Sequence, residues 1–156
     1  MFFFGELWER GESGKGERET LLVNILCNGF QRELIVDTGA DVTILYKPID
    51  GVEIEAVENR VITGVTGDQQ RVIGIQRVLI QIGKAKCSHD VWIVDIKCGA
   101  QGILGIDLMK KQHLTIELGR GVIRQNGKWV ARVHILEGII DKSRLKQKKT
   151  SNYYIG

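Results

Sequence analysis

The chain has 156 residues, 43% hydrophobic and 26% charged, within the usual range for one globular domain able to bury a useful core. Its net charge is only +3, much of it in "KSRLKQKKT" near the C-terminus, which excludes a global basic field for nucleic acid and confines such contact to the tail 142–149. Cys27, Cys87 and Cys98 show neither close metal-ligand spacing nor an even count, so free thiols in a reducing compartment are expected, with no metal and no cofactor.

The opening "MFFFGELWER" is broken by Glu6 before it reaches the length of a signal core or membrane span, which points to a soluble, intracellular protein. Residues 9–19, "ERGESGKGERE", hold no apolar side chain and cannot offset the entropy of ordering, so 1–19 reads as a flexible leader. From Thr20, "TLLVNIL" and "QRELIV" read as strands joined at Asn28-Gly29, a dipeptide suited to the positive dihedrals of a tight hairpin. The second strand delivers Asp37 at its end, in "DTGADVTIL".

A segment containing the chain's single proline follows, and then "NRVITGVTGDQQRVIGIQRVLIQIG" reads as a long hairpin with Gly64, Val65, Thr66 and Gly67 at its tip. "CSHDVWIVDI" is a further strand. "ILGIDLMKKQH" combines a strand end with a short helix starting near Asp107, whose carboxylate suits a helix N-terminus. "LTIEL" resumes the β pattern, and "GVIRQNGKWVARVHIL" repeats the Asn-Gly signal at Asn126-Gly127. The expected fold is mainly β, a small closed barrel with one short C-terminal helix.

A carboxylate directly behind "LIV" is costly to bury without partners, and Thr38, Gly39 and Ala40 leave the backbone room to turn and donate to it. An isolated Asp-Thr-Gly is also compatible with an ordinary Asp-initiated turn. The order of features narrows this: apolar-apolar-Asp-Thr-Gly-Ala-Asp, a glycine-containing hairpin, then "ILG" before a helix. From about Leu21 to Leu118 the chain resembles the retroviral-type aspartic proteases, or retropepsins, of retroviruses and long-terminal-repeat retrotransposons.

That resemblance implies a two-fold homodimer in which Asp37 meets Asp37 of a second chain. Two such carboxylates share one proton, the aspartic-protease pair being the familiar instance of this coupling, and activate water without metal or cofactor. Thr38 would brace the two loops across the dimer, and Gly39 would lie against substrate backbone. Ala40, Asp41, Ile35, Ile44 and Ile103 would form substrate contacts, with Thr43 continuing the wall, and Ile62, Thr63, Gly64, Val65, Thr66 and Gly67 a mobile flap. The implied substrate is an extended polypeptide, a viral or retrotransposon polyprotein, cut in the cytoplasm or inside virus-like particles; "SNYYIG" at the C-terminus resembles a processing junction. The competing expectation is a dimerisation or binding module that keeps the fold with little or no turnover. His89, His113 and His134 lack a Ser or Cys partner pattern and read as structural.

Two departures stand out. Many retroviral enzymes carry an arginine after the glycine of "ILG", paired with the acid at the position of Asp41, where this chain has Ile106; the brace must be replaced or absent. The chain also continues past "LTIEL", where compact relatives end in their interleaved dimer strand. The expected organisation is therefore a protease domain over 20–118, a hairpin arm over 119–137 that reshapes the interface or folds where a partner's strand would lie, and a disordered basic tail over 138–156.

Overall fold

The computed structural model describes residues 17–63, 69–96 and 99–139. Its strands are β1 (Glu17–Cys27), β2 (Phe30–Val36), β3 (Ile44–Leu45), β4 (Val61–Thr63), β5 (Gln69–Ile82), β6 (Ala85–Val94), β7 (Gly102–Leu104), β8 (Leu114–Glu117), β9 (Val122–Gln125), β10 (Lys128–Arg132) and β11 (His134–Ile139). One helix, α1 (Ile106–Lys111), lies between β7 and β8.

Local sequence sets both expected Asn-Gly turns. Asn28 and Gly29 adopt φ of 50° and 87°, and Asn126 and Gly127 adopt 51° and 83°, the left-handed pair that matches the twist of a two-residue hairpin. The first turn is also held from outside: the Asn28 side chain accepts the Leu79 N–H at 2.7 Å, and the Asn28 N–H donates to the Leu79 carbonyl at 2.9 Å. This fastens the β1–β2 hairpin to the middle of β5.

The large sheet runs β11-β1-β2-β7-β3-β6-β5-β4, and a further pairing of Leu26 and Cys27 with Gln81 and Ile80 joins β1 back to β5. Strands β1, β2, β7, β3, β6 and β5 thus form a hydrogen-bonded ring, the expected closed barrel. Two parallel pairings, β2 with β7 and β3 with β6, bring distant segments beside the end of β2. Side-chain alternation divides the apolar residues between two clusters. Leu34, Val36, Leu45 and Leu104 join the main core, whereas Ile35, Ile44 and Ile103 join a second cluster with Leu22, Ile62 and Val72.

The long arm is not a single hairpin. Strands β8, β9 and β10 make a separate three-stranded sheet whose Ile123, Val130 and Ala131 pack into the main core. Strand β11 instead returns to the large sheet and pairs along β1 from Glu17↔Ile139 to Leu22↔His134. Two expected boundaries shift as a result: β1 begins at Glu17, inside the stretch read as leader, and β11 reaches Ile139, inside the stretch read as tail. Backbone pairing orders these residues, so the lack of apolar side chains at Glu17, Arg18 and Glu19 does not decide the matter. The remainder of the leader and of the basic tail, including "SNYYIG", lies outside the described residues.

Candidate active site

Asp37 directly follows β2, with only 5% of its surface exposed. Its N–H donates to the Leu104 carbonyl at 3.1 Å, which continues the β2–β7 pairing by one residue. The chain then turns: the Gly39 N–H reaches Asp37 Oδ1 at 2.9 Å and the Ala40 N–H reaches the Asp37 carbonyl at 3.1 Å. The charge is therefore met by a backbone donor at the point of burial, which lowers the cost of keeping it there. Thr38 and Gly39 are exposed at the loop tip, and Ala40 is buried in the second cluster.

The expected wall residues come together through strand register. Ile103 of β7 lies between Ile35 of β2 and Ile44 of β3, and Ile44 in turn faces Trp92 of β6. Ile35, Ile44 and Ile103 are at most 3% exposed, and Ile62 of β4 closes on the same cluster at 1%. Thr63 is half-buried beside it; Gly64, Val65, Thr66 and Gly67 lie outside the described residues. Across the face of the cluster, the Arg60 guanidinium stands 5.5 Å from the Trp92 ring, tying the segment before β4 to β6.

Asp41 is exposed and makes no side-chain hydrogen bond or ion pair among the described residues. Ile106 offers Asp41 no ion pair, and the loop is tied to the β7–α1 segment through Asp107. Asp107 Oδ1 accepts the Thr43 hydroxyl at 2.8 Å and Oδ2 accepts the Thr43 N–H at 3.1 Å. The Thr43 hydroxyl accepts the Gly105 N–H at 3.0 Å, and Asp107 Oδ1 also accepts the Leu108 N–H at 2.7 Å. His89 Nε2 lies 2.8 Å from Asp107 Oδ2. Burial pushes the Asp107 carboxyl up, but hydrogen bonds from His89 and Thr43 outweigh it and hold the group below its ordinary value.

Sequence reasoning placed Thr43 on the substrate wall; the fold buries it completely and uses its hydroxyl as the link between the loop and β7–α1. The structural reading of His89 agrees with its 8% exposure and its bond to Asp107. The signal that could have found the network was Asp-Val-Thr in the first motif facing Gly-Ile-Asp in the second. Gly105 completes the fit: a Cβ there would fall on the Val42 carbonyl.

Beside the loop, Thr38, Ile106, Met109, Lys110, His113, Leu114 and Ile116 line an open groove of about 610 Å³. Among the described residues no group of three His, Cys, Asp or Glu side chains is placed to hold a metal ion, and no helix is long and apolar enough to cross a membrane.

Residues 17–117 match the model of the retroviral aspartyl protease family. The chain belongs to that family. Within this retropepsin family, it is 33% identical over 97 residues to the retrovirus-related Pol polyprotein from transposon 412 of Drosophila melanogaster, a match covering 59% of this chain. The chain spans about 8% of that curated relative's length. Among solved structures, the retroviral protease-like domain of Ddi1 from Leishmania major matches with a TM-score of 0.57 at 18% identity, over 71% of this retropepsin chain and 91% of that one. The EIAV protease complexed with the inhibitor HBY-793 matches at 0.49 and 22%, over 58% and 85%. The first of these supports the barrel architecture alone.

Proposed function

We propose that the protein is an aspartic endopeptidase whose working site is assembled from two chains, each contributing Asp37. The observation that carries this reading is the setting of Asp37: a side chain at 5% exposure whose Oδ1 accepts the Gly39 N–H and whose backbone N–H is held by the Leu104 carbonyl, at the edge of an apolar cluster. A residue that only began a turn would have no reason to sit at that depth, because burial disfavours the charged form.

In the assembled site two Asp37 carboxylates hold one water. The ionised member takes its proton as the oxygen attacks a peptide carbonyl, and the protonated member later supplies a proton to the leaving nitrogen. The nucleophile is the water, so no covalent enzyme intermediate forms. The apolar row Ile35, Ile103 and Ile44, together with Ile62, favours apolar side chains on both sides of the cut bond. The segment from Ile62 to Gly67 serves as the flap, Asp41 and Gly39 face the substrate backbone, and Ala40 packs beneath it.

The second chain docks against the groove of Thr38, Ile106, Met109, Lys110, His113, Leu114 and Ile116, because this surface, apolar over its larger part, adjoins the exposed tip of the Asp37 loop. By analogy with the transposon relative, the substrate is the extended junctions of a retrotransposon polyprotein, cut within the cell or inside a particle built from that polyprotein.

The deciding experiment compares wild type with Asp37→Asn on a panel of extended peptides at mildly acidic pH, with and without a pepstatin-like inhibitor. Cleavage by wild type alone, abolished by the inhibitor, is expected. Equal cleavage by both proteins would remove Asp37 from the reaction. Sedimentation over a range of concentrations should show activity following the dimer fraction.

A further inference from the structure

We propose that His89 is a positioning residue for Asp37, acting through Asp107 and Thr43; the inference rests on the protease reading above. The two ends of this relay are 52 residues apart in sequence, yet they are joined by hydrogen bonds between neighbouring elements and one step along the chain, from Gly105 to Leu104.

His89 lies on β6 opposite Val78 of β5, and its ring is buried. Its Nε2 faces Asp107 Oδ2, so the ring hydrogen sits on Nε2 and is donated to the carboxylate. The other ring nitrogen, Nδ1, is buried without a hydrogen-bond partner among the described residues. An unpaired buried polar atom is unfavourable, and an aliphatic side chain at this position would avoid that cost while filling the space. The bond to Asp107 is what the imidazole adds in return.

That bond fixes the plane of a carboxylate serving three segments. Asp107 receives Thr43 twice and Leu108 once, and Thr43 receives Gly105. The same stretch, Leu104 to Ile106, is the template for the Asp37 loop: the Leu104 carbonyl accepts the Asp37 N–H, and the Ile106 N–H donates to the Ala40 carbonyl at 2.8 Å. Rotation of Asp107 therefore shifts both ends of the loop, 37–40 through Leu104 and Ile106 and 43 directly. Displacing a reacting group by about 1 Å costs on the order of 100-fold in rate, so a group that touches no substrate is felt in turnover.

The test uses two polar replacements that differ in reach. In His89→Gln the carboxamide nitrogen falls where Nε2 stood; in His89→Asn it falls where Nδ1 stood and cannot reach Asp107. The full chain is assayed on the cleaved peptides, with Asp37→Asn as the inactive control. His89→Gln is expected within about 3-fold of wild-type kcat, and His89→Asn to lose roughly 10- to 100-fold in kcat with KM changed less than about 3-fold. Amide hydrogen exchange should quicken at least about 10-fold at Thr43 and Gly105 in His89→Asn, with the β1–β2 hairpin unchanged. Equal kcat for the two variants, or loss spread over the whole protein in both, overturns the proposal. Wild type no faster than Asp37→Asn sinks the protease reading alone, since the exchange contrast between the Asn and Gln variants still reports whether His89 holds the loop.

Discussion

The substitution Thr43→Val removes one hydroxyl from a near-isosteric side chain and so isolates the link between the Asp37 loop and the β7–α1 segment. In the folded chain the hydroxyl accepts the Gly105 N–H at 3.0 Å and donates to Asp107 Oδ1 at 2.8 Å, with Thr43 fully buried. The valine variant strands the Gly105 N–H and takes one donor from a carboxylate that keeps its bonds to Leu108, His89 and the Thr43 backbone. A buried group left unpaired costs about 1–3 kcal/mol and one bond fewer to the carboxylate about 1 kcal/mol, so the two losses together come to roughly 2–4 kcal/mol. For a chain of this size that is a fall in Tm of roughly 4–16 °C. Thermal and urea unfolding of wild type, Thr43→Val and Thr43→Ser should rank the serine variant close to wild type, because it keeps the hydroxyl and loses only a methyl group. A valine variant melting within about 2 °C of wild type would show that water replaces the threonine freely and that the link carries no stability.

Other consequences are equally direct. The Asp107 carboxyl titrates lower in the folded chain than its unfolded value of about 3.9, so its contribution is fully present above that value and is lost as pH falls through the folded one. Urea midpoints measured from pH 6 down to pH 2 should therefore fall less steeply below about pH 4 in Asp107→Asn than in wild type. Gly105→Ala forces a methyl group onto the Val42 carbonyl and should destabilise by about 3 kcal/mol, read by chemical denaturation. Gly29→Val places a β-branched residue at φ 87° in open space and should cost about 1–2 kcal/mol through backbone strain alone, leaving peptide cleavage at low temperature unchanged. Ile106→Lys puts a charge in the groove proposed for the second chain and should raise the dimer dissociation constant at least about 10-fold by sedimentation, with the monomer's melting nearly unaffected.

What could be read from sequence was local. Asn28-Gly29 and Asn126-Gly127 dictate their turns through positive dihedrals that few other pairs accept, and "LIVDTGAD" and "ILG" carry both halves of the candidate site within short windows. The Thr43–Asp107–His89 contacts join residues 64 and 18 positions apart. Each member also had a sufficient local reading: a strand-forming threonine, a helix-start aspartate, a lone histidine. The non-local pairings of β3, antiparallel with β7 and parallel with β6, bring them together, and a sequence pattern carries no register for such pairings. The ends of β1 and β11 were hidden for a related reason. Glu17 to Glu19 look like solvated leader until β11, over 110 residues later, supplies the partner for their backbone.

The alternation along β2, β7 and β3 has an evolutionary consequence. Leu34, Val36, Leu104 and Leu45 face the core that folds the domain, and their immediate neighbours Ile35, Ile103 and Ile44 face the cluster beside Asp37. Exchange among aliphatic residues on the second side alters the cluster beside Asp37 and leaves the packing of the first side in place. Under the proposed protease reading, a change in substrate sequence can be met on this second side by volume-conserving aliphatic exchanges, which cost less than about 1.5 kcal/mol each.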